Sequence, residues 1–252
     1  MGGRGGSSGQ AERARRSGGG DGMGGGTQDG HNPWRTVEDI QNQLGISYEE
    51  AKGLREAIDS DIGGFSYGWD GNIRKLQNGF SEQVILSDWE TQKAINDNFG
   101  GDAKAYMTEL RKKAANCEKL IDSAPKWNGG ELRRGLHSMP KEVLEDLTRV
   151  GDVVDLNAGT ASWTTNPKVA NNFAGYYGHS APAGSFVAHV ESGTRRGTSI
   201  KNLSHFNSED EVLCSRKEAF QCLRVETRPN GEVHAYYKVV STNVDWDKVK
   251  KK

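Results

Sequence analysis

The pattern of apolar residues changes halfway along this chain, and that change limits its fold more than any other feature. From Thr36 to about Asp122, apolar side chains recur every three or four residues. Beyond Glu131 they fall into short, alternating runs broken by turn residues. Helices first and short strands afterwards is an α+β order. It excludes a doubly wound sheet, in which strands and helices alternate along the chain.

The helical half carries its own punctuation. Thr36 to Asp39 and Ser47 to Glu50 read as capping boxes, the first with Asp in place of Glu. The second opens a helix with Ala51, Leu54 and Ile58 on one face. Gly45 separates the two helices, and Gly63-Gly64 reads as the end of the second. Ser87 to Glu90 is a third box, ahead of Ala94 and Ile95. Asp102 caps the longest helix, in which Tyr106, Leu110, Ala114, Cys117 and Ile121 line one side. These stripes read as core.

The second half predicts strands over Glu131–Ser138, Asp152–Leu156, Phe186–Val190, Glu211–Cys214 and Phe220–Thr227. Pro140 starts a helix running to about Arg149, and Asn166-Pro167 starts a short one holding Val169, Ala170 and Phe173. Asn230-Gly231 predicts a type I′ hairpin turn, with Val233, Ala235, Tyr237 and Val239 alternating after it. No GxGxxG follows a strand and no GxxxxGK[ST] occurs, so neither common nucleotide-binding loop is present.

Composition bounds the rest. Residues 1–30 hold 13 of the 33 glycines and almost no large apolar side chain. Nothing there offsets the entropy of ordering, so residues 1–32 are expected to be a disordered Gly-rich leader. Lys and Arg number 33 against 34 Asp and Glu, a net charge of −1. That balance gives no support to a nucleic-acid-coating role, and no nucleic-acid partner is expected. No run of apolar residues is long enough to span a membrane, and no Sec signal is visible. The three cysteines, Cys117, Cys214 and Cys222, have no CxxC spacing and are expected as buried free thiols rather than a Cys214–Cys222 bridge. The six histidines form no metal-ligand spacing, so no metal is expected and the histidines read as structural or solvated. Lys250-Lys251-Lys252 reads as a solvated tail.

Three segments carry chemistry when taken together. Glu131 to His137 places an arginine pair, Arg133 and Arg134, in a strand; such a fork can clamp a phosphate or carboxylate. Ala161 to Phe173 puts the hydroxyls of Ser162 and Thr164 on one side of a strand, ready to orient a carboxylate. Ser208 to Leu213 holds Glu209 and Glu211, which share a face if the segment is extended. Like charges that close repel, so a stable edge seldom keeps them without use.

In this order the segments resemble the arginine–serine–glutamate signature of the mono-ADP-ribosyltransferases. Arg134-Gly135 matches the opening Arg-Gly, Ser162-Trp163-Thr164 the Ser-Thr-Ser strand, and Glu209-Asp210-Glu211 the Glu-x-Glu loop. Ile200 to Phe206 resembles the family's substrate-recognition loop. Arg133 stands where an aromatic is usual, leaving two adjacent arginines, of which Gly135 favours Arg134. Trp163 and Thr164 replace the commoner Thr and Ser.

The resemblance covers roughly residues 85–240 and implies an N-terminal helical lobe followed by a mixed or antiparallel β-sandwich core. It divides the chain into a helical region at 33–85, a catalytic domain at 86–245 and a Lys-rich tail at 246–252. It implies NAD as substrate, no metal, and a target protein with an exposed arginine as partner. Catalytic roles fall to Arg134, Ser162, Glu209 and Glu211. Arg134, Gly135, Ser162, Thr164, Phe173 and Glu211 would contact NAD, and Phe206 and Glu209 the target. Glu209, two places before Glu211, implies arginine as acceptor. Tyr176 or Tyr177 is a further candidate for stacking on nicotinamide, with core or hinge packing as the alternative. A bacterial toxin, an effector or a bacteriophage enzyme acting in the cytoplasm of a target cell fits this reading, reached from a virion or by a non-Sec route. Two alternatives share the fold: an NAD glycohydrolase using water, and an inert interaction module.

Overall fold

A computed structural model of the protein describes residues 31–58, 69–177, 180–191, 197–204 and 206–249. Among the described residues six helices come first: α1 (Val37–Leu44), α2 (Tyr48–Glu56), α3 (Asp70–Gln77), α4 (Glu82–Leu86), α5 (Trp89–Phe99) and α6 (Ala103–Ser123). Their caps follow local chemistry. The Thr36 hydroxyl accepts the Asp39 N–H while the Asp39 carboxylate accepts that of Thr36, and Gly45 ends α1 at φ 64°. The Asp102 carboxylate accepts the Lys104 and Ala105 N–H groups, each at 2.9 Å, to open α6.

Several expectations are corrected here. Helix α2 stops at Glu56, and Gly63-Gly64 lies outside the described residues. Helix α5 is capped by Asp88, not Ser87; the Ser87 hydroxyl instead donates to the Val84 carbonyl and closes α4. Helices α3 and α4 have no individual sequence expectation: α3 opens without a side-chain cap, and α4 spans five residues, too few to show a repeat. The buried residues of α1 to α6 share one core with Ile200, Leu203 and Leu213. His31 and Asn32, expected in the leader, are buried and bonded to Ser199 and Thr198. At the other end Trp246 is buried and donates to the Glu218 carbonyl at 3.2 Å.

The strands are β1 (Leu132–Leu136), β2 (Val153–Val154), β3 (Ala161–Thr164), β4 (Phe186–Val190), β5 (Thr198–Ser199), β6 (Glu211–Cys214), β7 (Ala219–Thr227) and β8 (Val233–Ser241). Helix α7 (Lys141–Leu147) follows β1, α8 (Pro167–Phe173) follows β3, and α9 (Trp246–Val249) ends the described chain. Asn166 caps α8 with Pro167 in its first turn, as read from the sequence. The strands form one eight-stranded sheet in the order β2-β7-β8-β4-β1-β3-β6-β5, mixed because β4 and β8 run parallel.

The expected sandwich therefore takes the form of a single sheet, hydrogen-bonded from edge to edge. That sheet curls. The rings of Trp163 on β3 and Phe220 on β7 stack with centroids 5.5 Å apart, although three strands lie between β3 and β7. In a flat sheet strands four places apart would be about 19 Å apart. The hairpin joining β7 to β8 is also corrected. Gly231 has φ 84°, but Asn230 does not enter the positive region that a type I′ turn requires. The bonds Gly231 N–H to Arg228 carbonyl, 2.9 Å, and Arg228 N–H to Glu232 carbonyl, 2.8 Å, describe a type I turn closed by a left-handed glycine.

The two faces of the sheet differ sharply. Leu132, Trp163, Ala188, Val212, Ala235 and Tyr237 point into the curl and form a core. The other face is mixed. Residues directly opposed across an antiparallel pair share a face. Val187 on β4 opposes Gly135 on β1, and Ser162 on β3 opposes Leu213 on β6. Helix α8 covers the Val187 and Gly135 end, while the helical core covers Leu213. Ser162 lies between these two coverings.

Candidate active site

Three strands set the site. Arg133 on β1 is the register partner of Thr164 on β3, and Thr164 is the partner of Glu211 on β6. A cation, a hydroxyl and a carboxylate therefore form one row on the mixed face. Neighbouring strands lie about 4.8 Å apart, so the row spans about 10 Å of backbone. Glu211 is 4% exposed, and Thr164 is buried beside it.

The period of two in a strand separates the arginines. Arg134 shares its face with Leu132 and Leu136, toward the apolar core, and its guanidinium donates to the Leu156 and Asn157 carbonyls. Arg133 lies on the face of Glu211. The register thus places Arg133, not Arg134, in the row of Glu211. Arg133 donates to the Thr165 carbonyl at 3.0 Å and pairs with Glu131.

Gly135 has a strict steric role. A Cβ there would fall 2.0 Å from the Ala170 carbonyl oxygen and 2.5 Å from the Ala174 nitrogen. Only glycine lets α8 lie directly on β1, and that contact sets the position of Phe173 at the helix end. Phe173 is half-exposed and Tyr177 largely exposed, so both are open to a ligand at this rim. Tyr176 is not: it is buried, and its hydroxyl lies between the Ser185 and Val233 backbones. Burial pushes its phenol pKa up. Tyr176 is packing, the second of the two roles weighed for it.

The acidic segment is not extended, which corrects the shared-face expectation for Glu209 and Glu211. Asn207–Glu209 form a single 3-10 turn, Asp210 takes a left-handed conformation at φ 48°, and only Glu211 enters the strand. The Thr164 hydroxyl donates to the Glu209 carbonyl and accepts the Asn166 N–H at 2.9 Å. One hydroxyl thereby ties the acidic turn to the start of α8. Lys201 pairs with Asp210 and braces the turn from the preceding loop, where Phe206 sits half-buried. A polar depression beside this turn is lined by Arg35, Lys201, Ser204, Asn207, Ser208 and Asp210, among others.

Glu211 also borders the helical core. Burial, opposed by Lys113 and helped by Glu118 and Glu211, pushes the Cys117 thiol up to about 12. All three cysteines are free and buried. Among the described residues no group of three or more His, Cys, Asp or Glu could hold a metal ion, and no helix is long and apolar enough to cross a membrane.

The sequence reading missed a second polar cluster on the same face. His189 bonds Glu131 at 2.7 Å and His234 at 2.8 Å; both rings are buried. Neither ring is solvated, and burial lowers the pKa of each. Alternation alone could have placed His189 beside Arg133 once β4 was paired with β1. The pairing of β4 with β8 has no signal in the sequence.

No family model matches the chain, and no curated protein matches it. Among solved structures it is similar to the Vis toxin, an ADP-ribosyltransferase from Vibrio splendidus, at 19% identity over 81% of this chain and 82% of that one, with a TM-score of 0.47. It is similar to an ADP-ribosyltransferase from Clostridium botulinum at 17% identity, covering 83% of this chain and 98% of that one, with a TM-score of 0.47. It is also similar to an ADP-ribosyltransferase of Pseudomonas syringae pv. Tomato at 15% identity, covering 81% and 88%, with a TM-score of 0.45. Likeness at this level carries no argument about activity, which must come from the side chains.

Proposed function

We propose that the protein transfers ADP-ribose from NAD to arginine side chains of target proteins and releases nicotinamide. The observation that supports this most is the row Arg133–Thr164–Glu211, which sets a phosphate-binding cation and a buried carboxylate on one face. The order of the arginine, hydroxyl and glutamate segments in the sequence supports the same reading.

In this reading the C1′–N bond of NAD breaks, and its electron pair leaves with neutral nicotinamide. The ribose carbon gains oxocarbenium character, as in glycoside hydrolysis. Glu211 stabilises that charge and accepts a bond from a ribose hydroxyl. Ser162, one row away, and Thr164 keep the carboxylate and its loop in place. Arg133 clamps the pyrophosphate, since a guanidinium fork matches phosphate oxygens. Arg134 keeps the loop at Leu156 and Asn157 against β1, a positioning role instead of the clamp its sequence context implies. Gly135 and Phe173 form the rim over the nicotinamide end. A guanidinium nitrogen of the target attacks C1′, and its proton passes to Glu209. A guanidinium has a very high pKa, so this step needs an adjacent carboxylate. Phe206 meets the target protein.

The test is nicotinamide release from NAD, with and without agmatine as a free guanidino acceptor. Wild type should be stimulated by agmatine. Glu211→Gln should lose about 10²-fold or more in rate, the usual effect of removing a preorganised charge stabiliser. Glu209→Gln should keep hydrolysis and lose transfer. Release that ignores agmatine in every active form would make the protein a glycohydrolase. A wild type that releases nothing would sink the enzymatic reading.

A further inference from the structure

Glu131 uses its two carboxylate oxygens in different directions. Oε2 pairs with Arg133, and Oε1 accepts from His189 Nδ1 at 2.7 Å. His189 Nε2 lies 2.8 Å from His234 Nδ1, and His234 Nε2 lies 3.5 Å from Glu232 Oε2, which also pairs with Arg228 at 3.0 Å. Arg133, Glu131, His189 and His234 thus form a bonded polar chain across β1, β4 and β8, with the Glu232–Arg228 pair beside its far end. It runs from the candidate site to the β7–β8 hairpin. Tyr236 stacks on His189 with centroids 4.5 Å apart, and Tyr176 closes on His234 at 6.0 Å, sealing the chain between rings.

The proton count of this chain is decidable. Two neutral imidazoles hold two N–H groups for three links. The two short links take them: His189 Nδ1–H donates to Glu131, and His234 Nδ1–H donates to His189 Nε2. That leaves His234 Nε2 bare toward Glu232, where the link is long and no hydrogen bond forms. Burial favours the neutral rings this arrangement needs. The consequence is directional. Glu131 receives a donor on one oxygen and turns the other to the arginine.

We propose that Glu131, His189 and His234 form a positioning chain that holds the Arg133 guanidinium in the posture that binds the pyrophosphate. This rests on the NAD reading given above. An arginine on a strand with no such partner would sample several rotamers and lose that freedom on binding. Here the ordering is done before the ligand arrives, which favours affinity. None of these residues other than Arg133 touches the substrate.

The experiment is calorimetric titration of the full chain with ADP-ribose, with thermal melts recorded on every sample. Arg133→Ala and Glu131→Gln should each weaken binding about tenfold or more, the worth of one hydrogen bond to a charged group. His189→Leu should weaken it, while His189→Asn, whose amide nitrogen can replace Nδ1–H as donor to Glu131, should recover most of the loss. Glu232→Gln, at the far end, should change it least. Binding by Glu131→Gln and His189→Leu equal to wild type would overturn the proposal. So would losses that follow the melting temperature with no recovery in His189→Asn. A readout without substitution guards against misfolded variants: ADP-ribose should shift the buried imidazole NMR signals of wild type, and unmoved signals would count against the chain. Failure of wild type to bind ADP-ribose at all would instead remove the NAD reading itself, before any variant is compared.

Discussion

The two faces of the sheet are made from the same strands, yet they answer to different physics. The face inside the curl is filled with Trp163, Phe220, Phe186 and Tyr237, and its energy comes from apolar area removed from water. The mixed face holds Arg133, Thr164, Glu211 and the two histidines, and its energy depends on each polar group finding its partner. One residue of register separates them. A strand can therefore carry stability on one side and chemistry on the other without either compromising the other.

The largest effect should come from breaking the inner face. Trp163 is 2% exposed, stacks on Phe220, and donates to Asn157 at 2.9 Å. Trp163→Ala should cost about 3–5 kcal/mol in denaturant unfolding, by cavity formation and a lost bond. On the mixed face, Gly135→Ala should cost about 1–3 kcal/mol by overpacking, because α8 must move off β1. The same change should raise the NAD concentration needed for half-maximal nicotinamide release by displacing Phe173, a link that Trp163→Ala does not predict. Equal effects of Gly135→Ala and a solvent-facing Ala substitution on the melt would refute the steric account.

Thr164→Val keeps the shape and removes the hydroxyl that joins the acidic turn to α8. It should cost about 1 kcal/mol of stability. Its effect on nicotinamide release should exceed its effect on the melt, since the turn carries Glu209 and leads into Glu211. A melt shift with unchanged release would show that the turn holds its place without Thr164.

The smallest effect is a pH dependence. Burial keeps His189 and His234 below the ordinary value of 6.5 in the folded protein. The unfolded chain then binds more protons just below pH 6.5, so stability falls as pH falls through that value toward the folded pKa values. Glu232 belongs to a lower window: burial raises its pKa, but bonds from Arg228 and Asn230 leave it below 4.5. Melts between pH 7.5 and 5.5 should show the loss, and the His189→Gln, His234→Gln double variant should flatten it. An unchanged slope in that variant would mean the buried pair does not carry it.

Much of this architecture is local and was legible residue by residue. Thr36, Ser47 and Asp102 cap helices because a side-chain oxygen reaches an N–H two or three residues ahead. Asn166-Pro167 starts α8 and Gly231 closes the hairpin for equally local reasons. Alternation found β1, β4, β6, β7 and β8 to within a residue or two. The misses are local too: α3 has no side-chain cap, and the five-residue α4 and two-residue β5 carry no repeat to detect. Ser87 lost the cap to Asp88 because adjacent cap residues compete for the same turn.

The candidate site divides in the same way. The sequence alone determined which residue types are available: two arginines, two hydroxyls on one side of a strand, and a Glu-x-Glu segment ahead of a strand. Only the tertiary structure decided which arginine faces Glu211, that Glu209 stands on a turn, and that His189 meets His234. The physical reason is that the side-chain direction in a strand reverses at every residue. Its meaning is set by register with strands far away along the chain, and no local preference encodes that register.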